Sequence, residues 1–395
     1  MLNYKIKIIL FFSFLNLISI NPLFSIQKDI VFDQISLGDE YSQNRVYHIL
    51  QGRKGFIWFA TSGGVFRFDG YDAKKLNLNS EKHNRLINNQ AHVLYEDRSG
   101  KIWIGSYSSG VSWIDREKGK LFTAWTIGLS NYDRETGKII NFQHDPQNPN
   151  SLGKGSINSI CEDTSGTLWI GTSNDGLNRL NKAEVDFRNP QSVKFTRYVN
   201  DPNNPNSLSD NIINDLYLDK YGVLWIATER GGLNKLELVN AKASDPTQVK
   251  FTSYQHDAKN PYSLSHNDVR CIYEDSSGIL WIGTGAGGLN KFDRKTERFY
   301  HFKPNPQKQG NLSFEFVNAI CEGKKGILWI GTAGGGLNRF DKETEKFTCF
   351  RSDPTNVNSL CNDFVPFIYK DFNGIIWSAT KGGVNKINIR KSNFV

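Results

Sequence analysis

Five cysteines and seven histidines in 395 residues leave little with which to build a metal centre or a disulfide scaffold. There is no Cys-x-x-Cys pair and no histidine spacing that would hold zinc. Cys161, Cys271 and Cys321 stand where related segments carry Ser159, Val93 or Tyr273, which reads them as small buried side chains rather than ligands. One pairing, Cys349 with Cys361, stays open. The stretch DPNNPNSL at 201 lacks the glycine at position six and the glutamate at position twelve of a calcium loop. With DPQNPNSL at 145 and DPTNVNSL at 353 it reads instead as a linker between repeats. No metal and no cofactor are expected.

Long apolar runs are missing from all but the first residues. Lys5 and Lys7 precede a mostly apolar run from 8 to 20, Asn21-Pro22 breaks it, and Leu23-Phe24-Ser25 ends on a small residue. Residues 1–25 therefore read as a secretory signal, because so short a run falls below the length of a spanning helix. The expectation is a periplasmic or secreted protein, touching a membrane only through an uncleaved signal or a further segment. Helix-period stretches are also missing. With 38% apolar residues, 22% charged residues and 35 glycines, this favours a folded, turn-rich β protein over a disordered one. The formal charge of +8 is spread through loops such as Lys324-Lys325 and Arg294-Lys295, so it reads as a solvated surface and no nucleic-acid partner is expected.

What is abundant is repetition. The stretch GILWIGTGAGGLNKFD at 278 contains Gly283-x-Gly285-x-x-Gly288, the letter pattern of a dinucleotide-binding turn, but no helix opens after it to receive a phosphate. The same block recurs around Trp58, Trp103, Trp169, Trp225, Trp281, Trp329 and Trp377, spaced from 45 to 66 residues apart, which leaves room for about four short strands per unit. In the unit around Trp281 the strands read as 269–275, 279–284, 288–292 and 297–302, joined by turns rich in Asp, Ser and Gly. The glycines are then turn residues.

Seven such units predict an all-β, seven-bladed β-propeller of four-stranded antiparallel blades, forming one domain over residues 26–395. Units 3 to 6 end on aromatic pairs, Phe195 and Tyr198, Phe251 and Tyr254, Phe299 and Phe302, Phe347 and Phe350. Unit 7 stops after its third strand, while a strand from Phe32 to Ile35 precedes unit 1. The N-terminal strand is therefore expected to join blade 7 and close the ring.

The pattern SLSxNxVxxIxEDxxGxLWIGTxxGGLNxFD resembles the two-component regulator propeller repeat, and the likeness runs from Phe32 to Ile389. The resemblance implies a periplasmic sensor region of a hybrid two-component system or related sensor kinase, binding an extracellular ligand such as an oligosaccharide. No kinase or membrane helix follows in this sequence, so the chain is expected to be a fragment of a longer sensor or a stand-alone binding protein. Its partners would be that small ligand, a second copy of itself or a sensor kinase.

Two sets of residues are candidates for the ligand. Loops between second and third strands vary most, at Tyr107, Asn174, Arg230 and Lys381. The second set stands five residues before the turn position, an aspartate in five units and Gly52 or Gly323 in the other two: Tyr47, His92, Asn158, Asn214, Arg270, Asn318 and Pro366. Two positions later the side chain is always aliphatic, which would place the polar set around the mouth of a central channel. Amide, guanidinium and aromatic groups there suit sugars, and Arg270 would suit an acidic one; the competing reading has these groups bonded to backbone or water. A protein-interaction platform using the rim is an alternative. A lyase acting on a polysaccharide or cyclic ester is another, with His266, Arg270 and Glu315 as the nearest approach to a catalytic set.

Overall fold

A computed structural model describes residues 30–38, 45–75, 90–98, 100, 102–106, 110–115, 120–122, 128–132, 139–181, 193–238 and 249–389. The expected signal at 1–25 and Tyr107 lie outside them. Every regular element among the described residues is a β-strand. The unit around Trp281 shows why. Asp275 Oδ1 accepts the backbone N–H groups of Ser277 and Ile279 at 2.9 and 3.0 Å, and Gly278 follows with φ of 81°. One carboxylate and one left-handed glycine thus reverse the chain between Val269–Glu274 and Leu280–Thr284. The second reversal uses Gly288 at φ 77°, where a Cβ would lie 2.4 Å from the Phe302 carbonyl oxygen. Leu289–Asp293 and Arg298–Phe302 complete the sheet, within a residue or two of the boundaries expected from the sequence.

Six sheets have this four-stranded antiparallel form. Unit 2 departs from it. Its main path runs Ile139–Gln143, Gly128–Tyr132, Gly110–Asp115, Ile102–Ser106, Ala91–Glu96, and Lys120–Phe122 pairs off that path, making six strands. Uniform four-stranded blades therefore hold for six units only. The cause is the longest spacing in the chain, Trp103 to Trp169, whose extra residues form a hairpin that joins Gly110–Asp115 in parallel at Leu129 and Val111.

The first strands of the units neighbour one another in cyclic order, and Phe367–Lys370 returns beside Val46–Gln51. Ile30–Ile35 pairs antiparallel with Gly383–Ile389, Ile30 opposite Ile389 and Ile35 opposite Val384, as the closure reading required. The core is split between neighbours. Each repeated tryptophan is at most 4% exposed and packs into the cluster of the following unit: Trp225 with Leu264, Ile272 and Phe292, Trp377 with Ile49, Phe59 and Phe66 of unit 1. Burying an indole across each junction supplies several kcal/mol of inter-blade adhesion, on the order of 25 cal/mol per Å² of apolar surface.

Candidate functional site

The inner strands contain a repeated irregularity that positions the polar ring. Pairing with the second strand shifts register between Val46 and His48, Ala91 and Val93, Ile157 and Ser159, Ile213 and Asp215, Val269 and Cys271, and Val317 and Ala319. The residue skipped each time is Tyr47, His92, Asn158, Asn214, Arg270 or Asn318. A bulge leaves its extra residue outside the ladder and re-aims its side chain. In unit 7 the same place is held by Pro366, which has no N–H to donate, and the strand begins one residue later. All seven line one cavity of about 580 Å³ along the ring axis, and the aliphatic residues two positions on are at most 7% exposed.

Much of the ring's hydrogen bonding is spent on the fold. The Nδ2 groups of Asn158, Asn214 and Asn318 donate to the carbonyls of Ile213, Val269 and Val365 at 2.8, 2.8 and 3.5 Å, each tying its unit to the next. His92 makes the matching bond to the Ile157 backbone and packs on Tyr47, ring centroids 5.1 Å apart. Burial holds its pKa below the usual imidazole range, although the Ile157 bond opposes this.

Arg270 is different. Its Nη2 lies 2.6 Å from Asp268 Oδ2 and 3.7 Å from Glu229 Oε1, and the guanidinium stacks on Phe316 at 5.0 Å. Two carboxylates thus face this guanidinium. Asp268 Oδ1 and Arg270 Nε are buried with no hydrogen-bond partner. Across the mouth Arg45 stacks on both Tyr47 and Phe364 at 5.8 and 5.7 Å.

Sequence reasoning missed the column beside the ring. His48 is pressed on Phe367 at 4.0 Å, and burial, then His92, lowers its pKa to about 3. Asp215 accepts the N–H groups of Leu216 and Ile272 at 2.8 and 3.0 Å and the Ser159 hydroxyl at 3.2 Å. Burial dominates these bonds and raises its pKa to about 6. A visible signal existed: a carboxylate in a column otherwise held by His48, Val93, Ser159, Cys271, Ala319 and Phe367.

The other candidates are not brought to the channel. Asn174 and Arg230 are exposed on loops, Arg230 fixed by its backbone N–H to Asp210 at 2.8 Å, and neither lines the cavity. His266 accepts the Asp268 N–H at 3.1 Å, and the Glu315 carbonyl accepts that of Gly288 at 2.9 Å, contacts that brace linkers. Cys349 and Cys361 are free thiols, the former donating to the Gly335 carbonyl at 3.1 Å. No cluster that could hold a metal ion occurs among the described residues.

Comparison with known proteins fits this architecture. The chain is similar to histidine kinase P4 of Formosa agariphila, 25% identical over 266 residues, covering 67% of this chain and 17% of that protein. A solved extracellular domain of hybrid two component system BT3049 from B. thetaiotaomicron is 26% identical, with a TM-score of 0.66, covering 90% of this chain and 41% of the other. The chain thus spans well under half of either relative. A streptogramin B lyase, 13% identical with a TM-score of 0.61 over 92% of this chain and 99% of its own, shares the fold alone. The model of the two component regulator propeller matches residues 40–63, 85–108, 151–174, 207–230, 263–286 and 311–334, each spanning a bulged inner strand and its tryptophan. By these six repeats the chain belongs to the two-component regulator propeller family.

Proposed function

We propose that this chain is an extracytoplasmic sensor propeller, a ring of seven blades once the unit 2 sheet is counted as one, whose channel mouth takes a neutral polyhydroxylated ligand such as an oligosaccharide. The observation that carries this reading is the pair of buried, unpartnered polar atoms at the mouth, Asp268 Oδ1 and Arg270 Nε, beside the Phe316 ring. Orphaned groups of this kind cost free energy that a ligand hydroxyl would recover, and the adjacent ring offers a sugar a face to lie on. Similarity to an extracellular sensor domain and to a histidine kinase supports an input role, with the output supplied by a kinase segment or partner. Export to the periplasm or beyond belongs to the same proposal.

Calorimetry against neutral and acidic oligosaccharides tests it, using wild type, Arg270→Ala and the rim control Lys346→Ala. A neutral sugar should bind best, and Arg270→Ala should weaken it roughly ten- to a hundredfold, the range for losing a hydrogen bond to a charged group. Equal binding to all three proteins would remove the mouth as the site.

A further inference from the structure

At the turn end of the blades, far from the bulges, three consecutive junctions differ in a way that defines a second site. Between units 4 and 5, Asp219 Oδ2 accepts from Trp225 Nε1 at 2.8 Å and from Arg294 Nη1 at 2.7 Å, while Arg294 Nη2 lies 3.4 Å from Glu274 Oε2. The guanidinium also covers the Trp225 ring at 5.4 Å. Between units 5 and 6, Lys342 Nζ repeats the arrangement, 2.7 Å from Asp275 Oδ2 and 2.8 Å from Glu322 Oε1. In both cases an aliphatic stem crosses the junction and delivers a cation to a carboxylate pair beside an indole.

Between units 3 and 4 the aspartate and the tryptophan are kept and the rest is gone. Asp163 Oδ2 accepts Trp169 Nε1 at 2.9 Å, but Leu218 stands in place of Glu274 and Glu322, and Leu238 in place of Arg294 and Lys342. Losing both partners together is physically coherent, since losing one alone would strand a charge in a buried junction. Asp163 is 6% exposed and has no cation within ion-pair distance among the described residues. Its carboxylate opens on a cleft of about 490 Å³ whose other walls include Trp169, Leu218, Tyr221 and Leu238. Asp371, between units 7 and 1, also has no cation within ion-pair distance among the described residues, but there Gln51 retains the cross-junction bond to the Phe372 N–H at 2.6 Å. Arg179 borders the cleft from the strand beside Trp169, opposite it in the ladder and close to the Tyr198 hydroxyl. Lys235 and Lys291 hold the same place opposite Trp225 and Trp281 at junctions that do take a second cation.

We propose that this cleft binds a cation carried on an aliphatic stem, an alkylguanidinium or alkylammonium, in the position that Arg294 and Lys342 occupy at the two following junctions. The stem would lie along Leu218 and Leu238, and the head would meet Asp163 Oδ2 over the Trp169 ring, combining a charge-assisted hydrogen bond with a cation–π contact. A free diamine and the arginine or lysine side chain of a partner's peptide segment share this chemistry. The site is independent of the channel mouth and lies at the other end of the sheets.

Calorimetry of the full chain with agmatine, cadaverine, N-acetyl-arginine amide and the uncharged control pentanol tests it. The cations should bind with one-to-one stoichiometry and pentanol should not. Asp163→Asn should weaken the cations at least tenfold. Leu218→Glu combined with Leu238→Arg rebuilds the internal pair, and should abolish binding without lowering the melting temperature. Tighter binding of agmatine and cadaverine than of the blocked arginine identifies a small-molecule amine; the reverse order identifies a peptide side chain. No cation binding to wild type at roughly 10 mM, a free energy weaker than about −3 kcal/mol, overturns the proposal, as does undiminished binding to the double variant.

Discussion

At the turn end of the inner strands, five of the seven repeated indoles donate to an aspartate six residues earlier at 2.8 to 3.0 Å, from Trp103 with Asp97 to Trp377 with Asp371. Glycine replaces the aspartate only in units 1 and 6, at Gly52 and Gly323. At the mouth end of the same strands the bulge position carries tyrosine, histidine, asparagine, arginine and proline. One end repeats because each indole must satisfy both its own turn and the next unit's core. The other is free to vary because a bulge residue owes nothing to the ladder.

The largest test of that contrast is Trp225→Ala at the constant end. It should cost about 3 to 5 kcal/mol in urea denaturation, as full truncation of a buried aromatic does; a cost below about 1 kcal/mol would mean that the junctions are not held by their indoles. At the mouth, His48 sharpens the contrast through pH. Its folded pKa of about 3 lies below the unfolded value near 6.5, so its neutral form stabilises fully above that value and the contribution is lost as pH falls from 6.5 toward 3. Between pH 8 and pH 5 the loss amounts to about 2 kcal/mol. His48→Phe keeps the stacking on Phe367 and should gain most of that on wild type at pH 5 and little at pH 8; parallel melting curves at the two pH values would show that the site is wetter than its packing implies. The smallest effect belongs to Asn214→Ala. Losing the bond to the Val269 carbonyl should cost about 1 kcal/mol, and an unchanged melting temperature would return this amide to the ligand.

Most of the blade was legible because it is local. The turn Asp, the left-handed Gly and the alternation of VRCIYED sit within a few residues of one another, and counting back from the aspartate found the channel ring. Harder to read was what each ring residue does there. The bulge has no composition of its own, since Tyr47, Asn214 and Arg270 have little in common but the register shift. The surroundings of Arg270 were hidden for a related reason: Glu229 comes from the preceding unit, and no spacing rule places it against the guanidinium. The extra hairpin of unit 2 was signalled only as length.

By itself the sequence determined the strand pattern, the repeat and the closure by Ile30–Ile35, because these follow from periodicity and from the need to pair a sheet edge. Only the tertiary structure decided which polar groups remain unspent. Whether an amide is consumed by a neighbouring carbonyl, as in Asn158, or a carboxylate has no cation beside it among the described residues, as in Asp163, depends on atoms from different blades meeting within about 3 Å, the reach of a hydrogen bond. A repeat specifies its own blade; the junctions are made by two.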